Sequence, residues 1–382
     1  MRPLTLCLLV GLVMAQSFAA YAQMSVDPTN LGGKTQTTTP QPIIPQPPKP
    51  TKVEPAKQIS AGGNHALAVL AGGTAFAWGE NSAGQLSAPP TEFNPLVPIE
   101  GGAWERVVGG GSFTVGVKTD GSLWVWGQLG TVYDNSGRGH EPRNVQLPAR
   151  IADVAAGGQH ILALAIDGTL YSWGSNQFGQ LGDGTTTPRL NPLPIGRGFR
   201  KVAAGGSHSL AIDRDGRLFA WGNNELGQSG LPGNKDVLIP TQIGKGFTLI
   251  AAGRSHSLAV KSDGPLLAWG NNTGGQLGST TPSTEIHDSR LVGGSKWSSI
   301  AAGNEHSLGI RDGGQLFAWG SNEAGQLGIG DIASSKTPVL AAKDFSDVAA
   351  GAHHSVALKT DRSVWYWGSI GSSMESSRPK QK

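Results

Sequence analysis

Seven Trp–Gly pairs punctuate this chain at nearly equal intervals. They begin at Trp78, Trp126, Trp173, Trp221, Trp269, Trp319 and Trp367, with spacings of 48, 47, 48, 48, 50 and 48 residues. Thirteen residues before each Trp stands His65, Phe113, His160, His208, His256, His306 or His354, and that interval never varies. Six positions before this column every copy has a β-branched residue: Ile59, Val107, Val154, Val202, Ile250, Ile300 and Val348. Three positions before it every copy has glycine, from Gly62 to Gly351. A period of this length marks one supersecondary unit whose apolar face is covered by its neighbours, so the chain folds as an array.

Within a copy the pattern is that of short strands. In the fourth, residues 199–204 read as a strand ending at Gly205-Gly206, 208–212 alternate as a second, Asp215-Gly216 marks a turn, and 218–221 read as a third. Pro192-Leu193-Pro194-Ile195, just upstream, is a short Pro-bearing strand suited to a sheet edge. The constant interval predicts a hairpin that sets His208 opposite Trp221. An insertion in either strand would slip the register and turn side chains to the wrong face. Four strands repeated seven times predict an all-β chain, a seven-bladed β-propeller of four-stranded antiparallel blades. The 57 glycines suit a chain dense in tight turns.

The ends differ from the repeats. Arg2, the apolar run from Leu4 to Ala15, and Ala20-Tyr21-Ala22 before Gln23 make the pattern of a secretion leader. Residues 1–22 are therefore expected to be removed on export to the periplasm or the medium. The run is too short to span a bilayer comfortably, and no stable membrane insertion is expected after cleavage. Cys7, the one cysteine, falls inside it, so the mature chain is held by its core and not by disulfides. A Pro-rich segment, 23–57, precedes the repeats at 58–370, and 371–382 reads as a polar tail. The seventh copy stops after Trp367-Gly368, one strand short. Asn30-Leu31-Gly32-Gly33 and Thr37-Thr38-Thr39-Pro40-Gln41-Pro42-Ile43 echo Gly182 to Ile195. Residues of about 30–45 are thus expected to supply an N-terminal strand that closes the ring and hides two sheet edges.

One composite motif is highly specific: Val-Ala-Ala-Gly-Gly-Ser-His-Ser-Leu-Ala at 202–211, Asp215-Gly216, then Phe219-Ala220-Trp221-Gly222. A further segment, Asn176…Gly179-Gln180-Leu181-Gly182, is echoed at Asn81, Asn272 and Asn322. The set resembles the repeats of the regulator of chromosome condensation family, here as a bacterial exported member. The resemblance covers about 58–370. It implies a seven-bladed propeller with an interaction role, although a fold with many users does not specify function.

No nucleophile elbow, phosphate-binding glycine loop or zinc spacing is present, so no catalytic residue, cofactor or metal is expected. One histidine per blade is radially dispersed, whereas ligands of one metal ion must meet within about 2–2.6 Å of it. His65, His160, His208, His256, His306 and His354 are therefore expected to be structural, each imidazole bonded to nearby backbone. The Trp column is expected to fill space between blades. A formal charge of +3 does not argue for a nucleic-acid partner.

Binding is expected where copies break the pattern. Copy two replaces Gly-Gln-Leu-Gly with a stretch containing Tyr133, Arg138, His140 and Arg143, and copy five inserts one containing Glu285, His287 and Arg290. The turns before the column histidine read Gly-Gly-Asn, Gly-Gln, Gly-Ser, Arg254-Ser255 or Asn304-Glu305 from copy to copy. Strand direction puts these turns, the Trp-Gly exits and the long loops on one face. The leading expectation is a monomeric exported module that binds a protein or glycan in the envelope or outside the cell through that face, without catalysis. Two alternatives stand beside it. The resemblance implies guanine-nucleotide exchange on a small GTPase, as in the eukaryotic family. A polysaccharide-acting enzyme at the propeller centre would need converging carboxylates or histidines.

Overall fold

The computed structural model describes residues 54–130, 139–279, 290–292, 296–371 and 373–382. Their 28 strands form seven four-stranded antiparallel sheets, each of consecutive strands. In chain order the blades are 56–99, 104–145, 151–196, 199–245, 247–292, 297–342 and 345–381. Each first strand packs beside the first strands of both neighbouring blades, and that of blade 1 meets that of blade 7, so the sheets close into a ring. The chain is an all-β, seven-bladed propeller, as its period predicts. Blade 4 shows the plan: inner strand Phe199–Ala204, then His208–Asp213, Arg217–Gly222, and outer strand Val237–Lys245. The Pro-bearing segment at 192–195 belongs to Arg189–Gly196, the outer strand of blade 3.

Register gives the constant interval its meaning. His208 pairs with Gly222, and Ser209 pairs with Trp221, one residue off the expected His–Trp pairing. The other blades repeat this, as in His65 with Gly79 and Ala66 with Trp78. Alternate side chains leave a strand on opposite faces. The histidine therefore points to the next blade, while the tryptophan and the residue after the histidine point to the previous one.

The core accordingly lies between blades. Blades 2 and 3 enclose Phe113, Val115, Ile161, Tyr171 and Trp173. Blades 7 and 1 enclose a layer with Ala56, Ala66 and Ala68 beside Ile59, Trp78, Val356, Leu358 and Ile370. All seven column tryptophans are at most 2% exposed.

Blade 7 corrects the expectation for the chain ends. Its outer strand is Ser373–Gln381, paired antiparallel with Val364–Ile370. Ile370 pairs directly with Ser373, and Gly371 follows Ile370 at a φ of 82°. The expected polar tail thus completes the blade, and the place assigned to an N-terminal strand is filled. Residues 30–45 themselves lie outside the described ones. The nearest downstream segment closes the smallest loop and so loses least entropy in satisfying the open ladder. An outer strand has water along its free edge, so a polar sequence suits it, and Pro379 lies in it as prolines do in the outer strands of blades 1, 3, 4 and 6. Among the described residues, packing of blade 7 on blade 1 closes the ring and no sheet contains strands from both blades.

Candidate functional site

The histidine column is an inter-blade fastening. His160 Nε2 lies 2.8 Å from Ser209 Oγ of the next blade, and His208 Nε2 lies 2.8 Å from Ser257 Oγ. His65 with Thr114, His256 with Ser307, and His306 with Ser355 repeat the contact at 2.9–3.0 Å. Each hydroxyl also donates to the main-chain carbonyl of the loop glutamine in the blade before it. Ser209 reaches Gln180 O at 2.8 Å, and Trp221 Nε1 donates to the same oxygen at 2.9 Å. The hydroxyl's one proton goes to that carbonyl, so the imidazole donates from Nε2 and its Nδ1 is bare. The partners are thus side-chain hydroxyls of the adjacent blade, not the backbone expected from sequence. Burial pulls the pKa of His65 and His160 down to about 4, and that of His208, His256, His306 and His354 to about 3. The glycine three residues before each histidine leaves room for this. A methyl group at Gly62 would strike the His65 ring and come within 2.6 Å of Gly110 O in the next blade.

Two junctions lack the fastening. Between blades 2 and 3, Phe113 takes the histidine position and Ile161 the hydroxyl position, and both join one apolar layer. Between blades 7 and 1, Ala66 takes the hydroxyl position, and among the described residues His354 has no hydroxyl to donate to and Trp78 Nε1 has no acceptor.

A ring of side chains seven positions before the column crosses the centre: Gln58, Arg106, Asp153, Lys201, Leu249, Ser299 and Asp347. Gln58 Nε2 donates to Val107 O at 2.9 Å, Arg106 pairs with Asp153, and Ser299 Oγ donates to Asp347 Oδ1 at 2.7 Å, each reaching the next blade. Lys201 of blade 4 interacts electrostatically with Asp153 and with Asp347 of blade 7, three blades on, so its charge acts across the axis. Burial pushes the Asp153 and Asp347 carboxyls up and Lys201 down. The central acids are thus engaged with these neighbours. The opening at the Gly-Gly turns is narrow, about 110 Å3, and lined largely by main chain. Among the described residues no three His, Cys, Asp or Glu side chains are grouped to hold a metal ion.

The loop-bearing face presents different chemistry. Its loops are locked from within: Leu181 N donates to Asn176 Oδ1 at 3.0 Å and Phe178 N to Gln180 Oε1 at 3.0 Å. The blades 1, 4, 5 and 6 loops repeat both bonds. Residues between the Asn and the Gly, such as Gln177-Phe178 and Glu225-Leu226, are left facing out. With the turns of the inner strands they surround a cavity of about 750 Å3 over blades 2 to 6, within the usual size of a small-molecule site. Gln128, Gln159 and Gln177 bring amides, Ser207 and Ser255 hydroxyls, Arg254 a guanidinium, Glu225 a carboxylate, and Phe178 a ring. Among the described residues no aliphatic side chain lines it. The three amides, the two hydroxyls and the guanidinium have no hydrogen-bond or ionic partner among the described residues.

Of the residues singled out in the irregular loops, Tyr133, Arg138, Glu285 and His287 lie outside the described ones. His140 packs against Gly84 in the blade 1 loop. Arg143 stands in the outer strand Arg143–Val145, paired with Val125, and Arg290 opens the outer strand Arg290–Val292. Neither His140 nor Arg143 lines the cavity. The residues that do were signalled by a different break: the second turn glycine, Gly63, Gly111, Gly158 and Gly206 in blades 1 to 4, becomes Arg254 and Asn304 in blades 5 and 6.

A closed ring of seven four-stranded blades, with loops gathered on one face and the core shared between repeats, defines a repeat β-propeller. The chain belongs to the RCC1-like domain family, whose model matches residues 20–340. It is 35% identical to the ultraviolet-B receptor UVR8 of Arabidopsis thaliana over 151 residues, 36% of this chain and 33% of that one. It is 32% identical to the regulator of chromosome condensation of Homo sapiens over 142 residues, 34% of this chain and 33% of that one. The matched stretches span about a third of each relative's length. Among solved structures, Prp20p of Saccharomyces cerevisiae, described with its binding to Gsp1p and histones, has a TM-score of 0.70 at 23% identity, covering 80% of this chain and 84% of that one. Human WBSCR16 has a TM-score of 0.73 at 22% identity, covering 80% and 87%. These likenesses show the fold.

Proposed function

We propose that the protein is exported and acts without catalysis, binding a protein or glycan with its loop-bearing face. The carrying observation is the cavity over blades 2 to 6, where unspent amides, hydroxyls and one guanidinium sit on loops locked from within. A rigid scaffold with adaptable polar groups at its rim is what recognition without chemistry needs. The leader pattern at 1–22 supports export, which puts the partner in the envelope or outside the cell. Engagement of Asp153 and Asp347 by neighbouring groups weakens the reading of an enzyme at the centre. Guanine-nucleotide exchange draws on the binding of Prp20p to Gsp1p, but an exported chain is separated from a cytosolic GTPase.

Fractionation and affinity capture test this together. The protein is expected outside the cytoplasm with Gln23 at its N-terminus. Captured from envelope and medium, one extracytoplasmic partner should be common to the unaltered chain and to Asp263→Lys, on a turn of the opposite face. Ser207→Trp, which fills the cavity, should lose it. Cytoplasmic localisation, recovery of a GTPase alone, or retention of the partner by Ser207→Trp would each overturn the reading.

A further inference from the structure

We infer that the cavity recognises an acidic saccharide, with the sugar carboxylate on Arg254 and the sugar hydroxyls on the surrounding amides. This deepens the reading of the loop-bearing face and rests on it.

The lining determines the class. A protein partner anchors itself by aromatic and aliphatic side chains in a largely apolar interface core. Among the described residues this cavity offers no aliphatic wall to receive one. Gln128, Gln159 and Gln177 each carry both an acceptor oxygen and a two-proton donor, and Ser207 and Ser255 donate or accept as needed. Groups of that dual character match vicinal hydroxyls, which also donate and accept. Phe178 supplies the one aromatic face among the lining residues, a surface for the C–H side of a sugar ring.

Arg254 adds the charge. It occupies a column where packing selects glycine. A methyl group at Gly63, Gly158 or Gly206 would come 2.5–2.6 Å from a main-chain oxygen of the next blade. At position 254 the ring tolerates a side chain, and that side chain is exposed and without an ionic partner among the described residues. It therefore does nothing for packing. A guanidinium's planar fork fits a carboxylate through two parallel hydrogen bonds. Glu225, also on the wall, makes the cavity unfavourable for a polyanion of high charge density and suits a single carboxylate per sugar.

Isothermal titration calorimetry with trigalacturonate, its neutral counterpart trigalactose, and a Glu-rich hexapeptide tests the assignment on the whole exported chain. Trigalacturonate should bind, with trigalactose and the peptide at least about tenfold weaker. Arg254→Ala should weaken trigalacturonate about tenfold or more at an unchanged thermal midpoint, because the side chain is exposed. Arg254→Lys should retain part of the affinity, as a point charge without the fork. Equal binding of trigalactose, indifference to Arg254→Ala, or binding of the peptide in place of the sugar would overturn the inference. If trigalacturonate fails while Ser207→Trp still abolishes envelope capture, the ligand class falls and the binding face stands. If neither responds, both fall.

Discussion

Trp104 and Trp297 open the inner strands of blades 2 and 6, where blades 4, 5 and 7 have Phe199, Phe247 and Phe345. Each larger ring is matched by a glycine on the second strand, Gly116 or Gly309, where the other blades have Ala68, Ala163, Ala211, Ala259 and Ala357. A methyl group on Gly116 would collide with the Trp104 ring, and one on Gly309 with Trp297. Gly116→Ala should therefore destabilise the protein by about 1–3 kcal/mol through overpacking. Trp104→Phe added to it should recover most of the loss, since Phe with Ala is the pairing of three other blades. Urea unfolding of the two single variants and the double checks this, and strictly additive effects would reject it. The exchange is visible in the sequence as two columns that change together. Its cause is not, because only the sheet register sets Gly116 two residues from the Trp104 partner Lys118, on the same face. Phe113 and Ile161 follow the same logic, an apolar pair replacing a His–hydroxyl pair.

At the scale of elements, the inner three strands of each blade are legible in the sequence, because glycine turns and alternation bound them. The outer strand of blade 7 is not. Ser373–Gln381 lacks an apolar face, and an edge strand can form from a polar segment once a third strand offers its open ladder. The echo of 182–195 in residues 30–43 reflects shared turn chemistry, Thr and Pro before a strand, which is not a pairing signal. Truncation after Gly371 should lower the thermal midpoint and promote association through the bared edge of Val364–Ile370. Deleting 23–45 should leave the midpoint unchanged. Scanning calorimetry and light scattering separate the two outcomes, and the reverse pattern would restore the N-terminal strand.

For the whole molecule the ring is uneven. Five junctions carry the His–hydroxyl fastening. The blade 2–3 junction replaces it with a large apolar layer, and the blade 7–1 junction has neither the fastening nor a comparable layer. Among the described residues, the seam between blades 7 and 1 is thus the one junction with neither device. The fastenings also set the response to acid. Six buried histidines are held neutral, with pKa values pulled from 6.5 to about 4 or about 3. As pH falls below about 6.5 the unfolded chain takes up protons that the folded ring cannot, so stability present above that pH is lost toward pH 4 and below. Each site contributes up to about 1.4 kcal/mol per pH unit. Asp153 and Asp347, whose carboxyls burial pushes up, act in the opposite sense at lower pH. The urea midpoint should be flat above about pH 7 and fall steeply from about 6 to 4. His306→Gln should make the fall shallower, and a midpoint constant between pH 7 and 5 would contradict the burial of these rings.

The sequence by itself determined the number of blades, the strands within each, and the columns that hold them together. Periodicity and alternation are local records of packing against an identical neighbour, so a repeat states its own fold. The tertiary structure alone decided which blade each side chain serves, which segment completes the last sheet, and where the open polar cavity lies. Those outcomes depend on a one-residue register, on the nearest strand to an unsatisfied edge, and on residues from five blades converging over the axis. Such residues are separated along the chain by whole repeats and share no local signal, apart from the Arg and Asn that interrupt a column of glycines.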